Sequence, residues 1–184
     1  MPALLVFFGL IASGKSTLAE NFAESENMEY WNTDRVRKEL AGIEATCRQS
    51  EALDQGIYSP AFTERTYAAM LARATDGLGR GKGVVLDGSY SRRRDRAAVL
   101  ACGRREKALV RFILCSCSDT EVKRRLAMRA RDPQAVSDGR WEIYLRQKES
   151  FEPPDELAPD QLLLLNTEAE PDVLLQRIHQ WLGT

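Results

Sequence analysis

Residues 9–16 read GLIASGKS and fit the pattern G-x-x-x-x-G-K-[ST], with Gly9, Gly14, Lys15 and Ser16 at the four fixed positions. The run before it, LLVFF (4–8), is apolar without a break and reads as a buried strand. The run after it opens a helical pattern over Thr17–Phe22. This strand–loop–helix frame is the context the pattern requires. Its glycines permit a turn whose backbone N–H groups point inward as a cradle for phosphate oxygens, and the helix adds its positive end. Gly9, Ala12, Ser13, Gly14, Lys15, Ser16 and Thr17 are therefore the expected nucleotide contacts. Lys15 would reach the β- and γ-phosphates of ATP, and the Ser16 hydroxyl would ligate Mg²⁺. A glycine-rich turn with a chance lysine would produce the four fixed residues in roughly 1 of 100 chains of this size.

Working outward, four more apolar runs read as strands: Glu29–Trp31, Val84–Leu86, Ala108–Leu114 and Leu162–Leu165. Helical patterns fill most of the gaps. Over Thr63–Leu78, Tyr67, Met70, Leu71, Ala74 and Leu78 share one face, and over Pro171–Leu182, Leu174, Leu175, Ile178 and Leu182 do the same. Strands alternating with helices predict a mainly parallel sheet covered on both faces. The 184 residues form one expected domain, 1–184, of a size that buries about 70% of its unfolded surface. EPPDELAP (152–159) reads as a loop. A net charge of −1 argues against a broad nucleic-acid or membrane binder. The apolar run ALLVFFGLIA is too short to span a bilayer. Cys47, Cys102, Cys115 and Cys117 include no CxxC pair. Cys115 and Cys117, two apart in a strand, are too far separated for a disulfide, so all four are expected as reduced thiols of a cytoplasmic protein.

Three charged stretches bear on chemistry. GVVLDGS (83–89) puts Asp87 at the end of a strand, where it would hold Mg²⁺ through water; an ordinary Asp-Gly turn is the alternative. No acid follows Asp87, which favours group transfer over a motor ATPase. The segment 119–140, with a lid expected over 119–138, carries Arg124, Arg125, Arg129 and Arg131. Arg125 and Arg129 share a helix face and would close over a transferring phosphate, although such runs are often a solvated face. WNTDRVRKEL (31–40) has a structural reading: Asn32 or Thr33 caps a helix that Asp34 begins, with Arg35 and Lys38 in solvent. SRRRDR (91–96) places arginines at a helix start, against the dipole, and reads either as a contact to an anionic ligand or as a solvent-facing helix. The lone His179 has no assigned role.

The phosphate-binding loop, TDRVR (33–37), VVLDG (84–88) and the arginine segment, in this order, resemble the small P-loop kinases. The likeness is to predicted kinases labelled AAA-family ATP-binding proteins, which resemble the kinase domain of polynucleotide 5′-kinases and, more distantly, zeta toxins and gluconate kinases. YSPAFTERTYAAML (58–71) also looks like a segment of those predicted kinases. The resemblance implies a three-layer α/β/α P-loop NTPase fold with a five-stranded parallel sheet in the order 2-3-1-4-5 and an arginine-bearing helical lid. It implies that Asp34 activates an acceptor hydroxyl, that Arg37 contacts the acceptor, and that Arg125 and Arg129 handle nucleotide. The acceptor region departs from zeta toxins and gluconate kinases.

The expected activity is Mg²⁺/ATP-dependent transfer of the γ-phosphate to a hydroxyl, with Lys15, Asp34 and Arg129 catalytic. The acceptor is a small molecule, a nucleoside or, less favoured on the neutral charge, a polynucleotide 5′-hydroxyl. A nucleotide-binding regulatory module and a plain ATP hydrolase are the competing classes.

Overall fold

β1 (Ala3–Phe8) lies at the centre of the molecule because its side chains are apolar on both faces, and such a strand must be covered on both. The computed structural model describes residues 1–44, 56–131 and 140–183. After β1 come α1 (Lys15–Ser25), β2 (Glu29–Asn32), α2 (Thr33–Leu40), a short 3-10 turn (Gly56–Tyr58) and α3 (Pro60–Gly79). The chain continues with β3 (Val84–Gly88), α4 (Arg93–Arg105), β4 (Leu109–Ser116), α5 (Asp119–Arg131), α6 (Trp141–Ser150), β5 (Leu162–Asn166) and α7 (Pro171–Leu182). The strands pair in parallel in the order β2-β3-β1-β4-β5, as the resemblance implied.

Alternation along β1 divides the core. Leu4, Val6 and Phe8 pack with Val36 of α2, Met70 and Leu78 of α3, and Val99 and Cys102 of α4. Leu5 and Phe7 face the other way, onto Leu18 and Phe22 of α1 and Leu174 and Ile178 of α7. Each such side chain contributes roughly 1.5–3 kcal/mol of burial. A smaller cluster of Ile11, Ala12, Val122, Leu126 and Tyr144 seats α5 and α6 on the first loop. No helix among the described residues is long and apolar enough to cross a membrane. Cys102, Cys115 and Cys117 are free thiols, and burial pushes the Cys115 thiol up to about 12. Cys47 lies outside the described residues.

Two expectations change. Lys38, assigned to solvent, is wholly buried, as is most of Arg37. An eight-residue helix packed between α3 and the β2–β3 pair has little outward face. Arg35 is exposed as expected and pairs with Glu20 at 3.0 Å. The basic start of α4 divides: Arg93 and Arg94 face solvent, as one of the two readings had it, and Arg96 does not. The anion at this helix start is the chain's own acidic loop, 152–156. The Arg93 N–H donates to Glu152 at 2.5 Å, and Arg93 also pairs with Asp155. Arg96, wholly buried, grips Glu156 with Nε at 2.5 Å and Nη2 at 3.1 Å and donates to the Tyr90 carbonyl at 2.9 Å.

Burial pushes the Glu156 carboxyl up, but the bonds and charge of Arg96 outweigh it and hold it below its usual range. The pair's contribution is therefore full above the ordinary carboxylate pKa and fades as pH falls. Glu156→Ala leaves a buried guanidinium without its partner and is predicted to cost about 3 kcal/mol at neutral pH in urea unfolding. The gap from the parent should shrink below about pH 4.

Candidate active site

The first loop leaves β1 at the carboxyl edge of the sheet, between β3 and β4, where the chain direction of the connections reverses and ligands collect in open α/β sheets. Gly9 has φ +140°, and a Cβ there would sit 2.3 Å from the Cys115 carbonyl oxygen, so β4 admits only glycine. Ala12 is also left-handed, at φ +60°. Gly14, at φ +84°, leads into α1, which has no side-chain cap, so its first-turn N–H groups are available to an anion. Lys15 begins that helix, and its Nζ arcs back to the Leu10 carbonyl at 3.3 Å, across the mouth of the cradle. Ser16 is half-buried in the same turn and Thr17 is exposed. Ser13 is buried, and its hydroxyl has no hydrogen-bond partner among the described residues.

The outer side of the loop is tied down. The Ser13 carbonyl accepts from the Thr167 hydroxyl at 2.5 Å. The Ala12 carbonyl accepts from Arg125 at 3.3 Å, and the Ile11 N–H donates to Gln147 of α6 at 2.8 Å. Arg125 is held by several hydrogen bonds of its own. Its Nε donates to Glu121 at 2.6 Å, Nη1 to the Thr167 hydroxyl at 3.1 Å and Nη2 to the Thr167 carbonyl at 2.6 Å. A Cβ on Gly14 would meet that guanidinium at 2.7 Å, so the arginine lies directly over the loop. Beside it is a cavity of about 390 Å³, bounded by Gly14, Thr17, Asn21, Arg125, Arg129 and Thr167. Thr167 and Asn21 were not singled out in the sequence. The available signal was position: Thr167 follows the last strand at the ligand edge of the sheet.

Asp87, near the end of β3, is in register with Phe7, beside the loop strand. It is fully buried. Its Oδ2 accepts from the Tyr30 hydroxyl at 2.8 Å and from the Asn32 amide at 2.5 Å, while Oδ1 has no partner among the described residues. A buried carboxylate oxygen without a donor among the described residues, on the strand beside the one that leads into the loop of Ser16, suits a hydrated Mg²⁺. These residues fit the ion.

Asp34 is the second residue of α2 and is half-buried. No described residue donates a hydrogen bond to its carboxylate. Burial pushes its pKa up, the charges of Arg37, Lys15 and Lys38 pull it down, and Asp87 adds a smaller upward push. Arg129 is also half-buried. Burial pulls its pKa down, Asp34 and Asp87 pull it up, and Arg125 opposes them. The fold thus brings Lys15, Asp34, Asp87 and Arg129 into one electrostatic neighbourhood. Residues 132–138 of the expected lid lie outside the described residues. Arg37 gives Nη1 to the Ile57 carbonyl at 2.8 Å and to Thr63 at 3.0 Å, and its guanidinium lies over the Tyr58 ring. It supports the segment that leads into α3. Within α3, the Tyr67 hydroxyl meets Ser89 at 3.0 Å and accepts from the Tyr90 N–H at 3.1 Å, pinning the chain just past Asp87.

The family model described as AAA domain matches residues 4–154. An uncharacterized protein of Mycobacterium tuberculosis (strain ATCC 25618 / H37Rv) is 34% identical over 123 residues, 64% of this chain and 24% of that protein. The chain therefore spans about a quarter of the length of the curated relatives it matches. Among solved structures, a sugar kinase from Janibacter sp. HTCC2649 superposes with a TM-score of 0.72 at 18% identity, over 100% of this chain and 95% of that one. An APS kinase of Mycobacterium tuberculosis, solved with AMPPNP and APS, superposes at 0.67 with 19% identity, over 100% and 98%. Identities this low establish a shared fold.

Thr167→Val removes the hydroxyl that satisfies the Ser13 carbonyl and should loosen the cradle. The expected result is an ATP dissociation constant about tenfold weaker by calorimetry, with Thr167→Ser within about twofold of the parent.

Proposed function

This chain belongs to the AAA domain family, and we propose that it is a Mg²⁺/ATP-dependent kinase that transfers the γ-phosphate to an alcohol. The observation that carries this reading is Asp34. A half-buried carboxylate within the field of Lys15, with no hydrogen-bond donor among the described residues and a raised pKa, suits a general base.

In this reading the backbone of residues 9–14 and Lys15 hold the β- and γ-phosphates, and the cavity over Arg125 takes the nucleoside end. Ser16, through its hydroxyl, and Asp87 Oδ1, through water, would hold Mg²⁺, whose charge neutralises the phosphates. Asp34 orients the acceptor hydroxyl and takes its proton as the hydroxyl oxygen bonds to the γ-phosphorus. The bond from that phosphorus to the ADP oxygen breaks. Lys15 and Arg129 face the negative charge that spreads over the moving group. Arg37 belongs to the acceptor side, where it holds residues 57–63 in place. The acceptor is a small molecule, a nucleoside or a polynucleotide 5′-hydroxyl. An ATP-using enzyme with free thiols belongs in the cytoplasm.

The test is γ-labelled ATP incubated with separate pools of 5′-hydroxyl oligonucleotides, nucleosides, sugars and aminoglycosides, with transferred label scored. One labelled pool is the expected result. Label released only as phosphate, or ATP retained unchanged, overturns the kinase reading. Lys15→Ala should lose ATP binding. Asp34→Asn should keep it while transfer falls about 10²–10⁴-fold.

The pH profile gives an independent check. A base works only when deprotonated, so kcat/KM should fall as pH drops through the Asp34 pKa. That limb should lie above the ordinary value of about 4 and be missing from the residual activity of Asp34→Asn.

A further inference from the structure

We infer that Asn32 is a positioning residue that sets both acids of the proposed site at once, seating Asp34 through its amide oxygen and Asp87 through its amide nitrogen. The inference rests on the kinase reading above for the roles of the two acids. Asn32 is the last residue of β2 and the N-cap of α2, so no loop intervenes between strand and helix. Its Oδ1 accepts the backbone N–H groups of Asp34 and Arg35, both at 3.0 Å. Its Nδ2 donates to Asp87 Oδ2 at 2.5 Å. The two roles fix the amide in one orientation, because only the oxygen can accept and only the nitrogen can donate.

The sheet supplies the alignment. Asn32 and Asp87 are paired across the β2–β3 register, and Asn32 is almost fully buried. Serine, threonine or aspartate would cap α2 about as well. None of them carries an amide that caps with one atom and donates with the other. Aspartate would also set a second carboxylate against Asp87. Tyr30 adds its hydroxyl to the same Asp87 oxygen at 2.8 Å. Both donors converge on Oδ2, which leaves Oδ1 as the oxygen without a partner among the described residues. The side of Asp87 left for a metal-bound water is thus chosen by two β2 side chains. One of them also holds the first turn on which Asp34 rides.

The test uses the full chain and two readouts that need no acceptor. Mn²⁺, as a probe of the divalent-cation site, is titrated in the presence of AMPPNP and followed by electron paramagnetic resonance. Amide hydrogen exchange at Asp34 and Arg35 is followed by NMR. Tyr30→Phe and Asn32→Ser keep a cap and lose a donor to Asp87. Both should weaken Mn²⁺ binding about tenfold, the scale of one hydrogen bond to a charged group, with exchange at Asp34 and Arg35 within about twofold of the parent. Asn32→Ala should show the same Mn²⁺ loss and also exchange those two amides about fivefold faster. Unchanged Mn²⁺ affinity in Asn32→Ser and Tyr30→Phe, or unchanged exchange in Asn32→Ala, overturns the inference. If Asn32→Ala does not fold, the other two variants still decide the Asp87 half. A parent protein that binds AMPPNP but no Mn²⁺ overturns the metal role of Asp87 itself, and so fails in a different place.

Discussion

A cradle that binds anions with backbone N–H groups must turn its carbonyls outward, and those carbonyls then need partners of their own. Most of the architecture around residues 9–16 follows from that requirement. The Ser13 carbonyl is taken by Thr167 at the end of β5 and the Ala12 carbonyl by Arg125 of α5. Arg125 also binds Thr167 twice, so loop, α5 and last strand form one hydrogen-bonded knot. Gly9 lets the loop pass against β4 with no side chain in the way. The cradle is therefore not a local property of eight residues. Three elements from distant parts of the chain hold it open.

The second constraint is charge in a partly dehydrated cleft. Burial favours the neutral forms of both Asp34 and Arg129; Asp34 favours the charged form of Arg129, and Arg37 that of Asp34. Lys15 adds to the field at Asp34, and Asp87 opposes it. The arginine run of α5 divides along the same lines. Arg124 is exposed on Glu121, Arg125 is tied to Glu121 and Thr167, and Arg129, one turn further on, feels the charges of Asp34 and Asp87. At the start of α4, the acidic loop 152–156 supplies the countercharge that a basic helix N-terminus needs.

The layered fold and its strand order were legible because the signals are local and redundant. Unbroken apolar strands, periodic helices and a glycine–lysine loop between the first strand and helix all point to the same arrangement. Asp34 and Asp87 were singled out at strand ends and Arg129 on a helix face, with roles taken from the resemblance, and the fold brings the three into one electrostatic neighbourhood. The errors fall where charge meets packing. Lys38 looks like a solvent residue in the sequence and is buried, since helical spacing does not reveal that α2 is covered on more than one side. The arginines of 91–96 had an anion, but it lies some sixty residues away in a stretch that reads only as a proline-rich loop.

By itself, then, the sequence determined the fold class, the phosphate cradle and the edge of the sheet where the charged residues gather, because periodicity, glycine placement and strand ends are properties of neighbouring residues. Tertiary structure alone decided which partners the charged side chains find within the chain. Arg125 came to bind Thr167, Arg96 became a clamp and Arg37 a brace for the segment before α3. Thr167 became part of the cradle, and Asn32 came to touch both acids. The physical reason is that a polar side chain's role is set by the partners that reach it across the fold, and in this chain those partners lie up to 154 residues away.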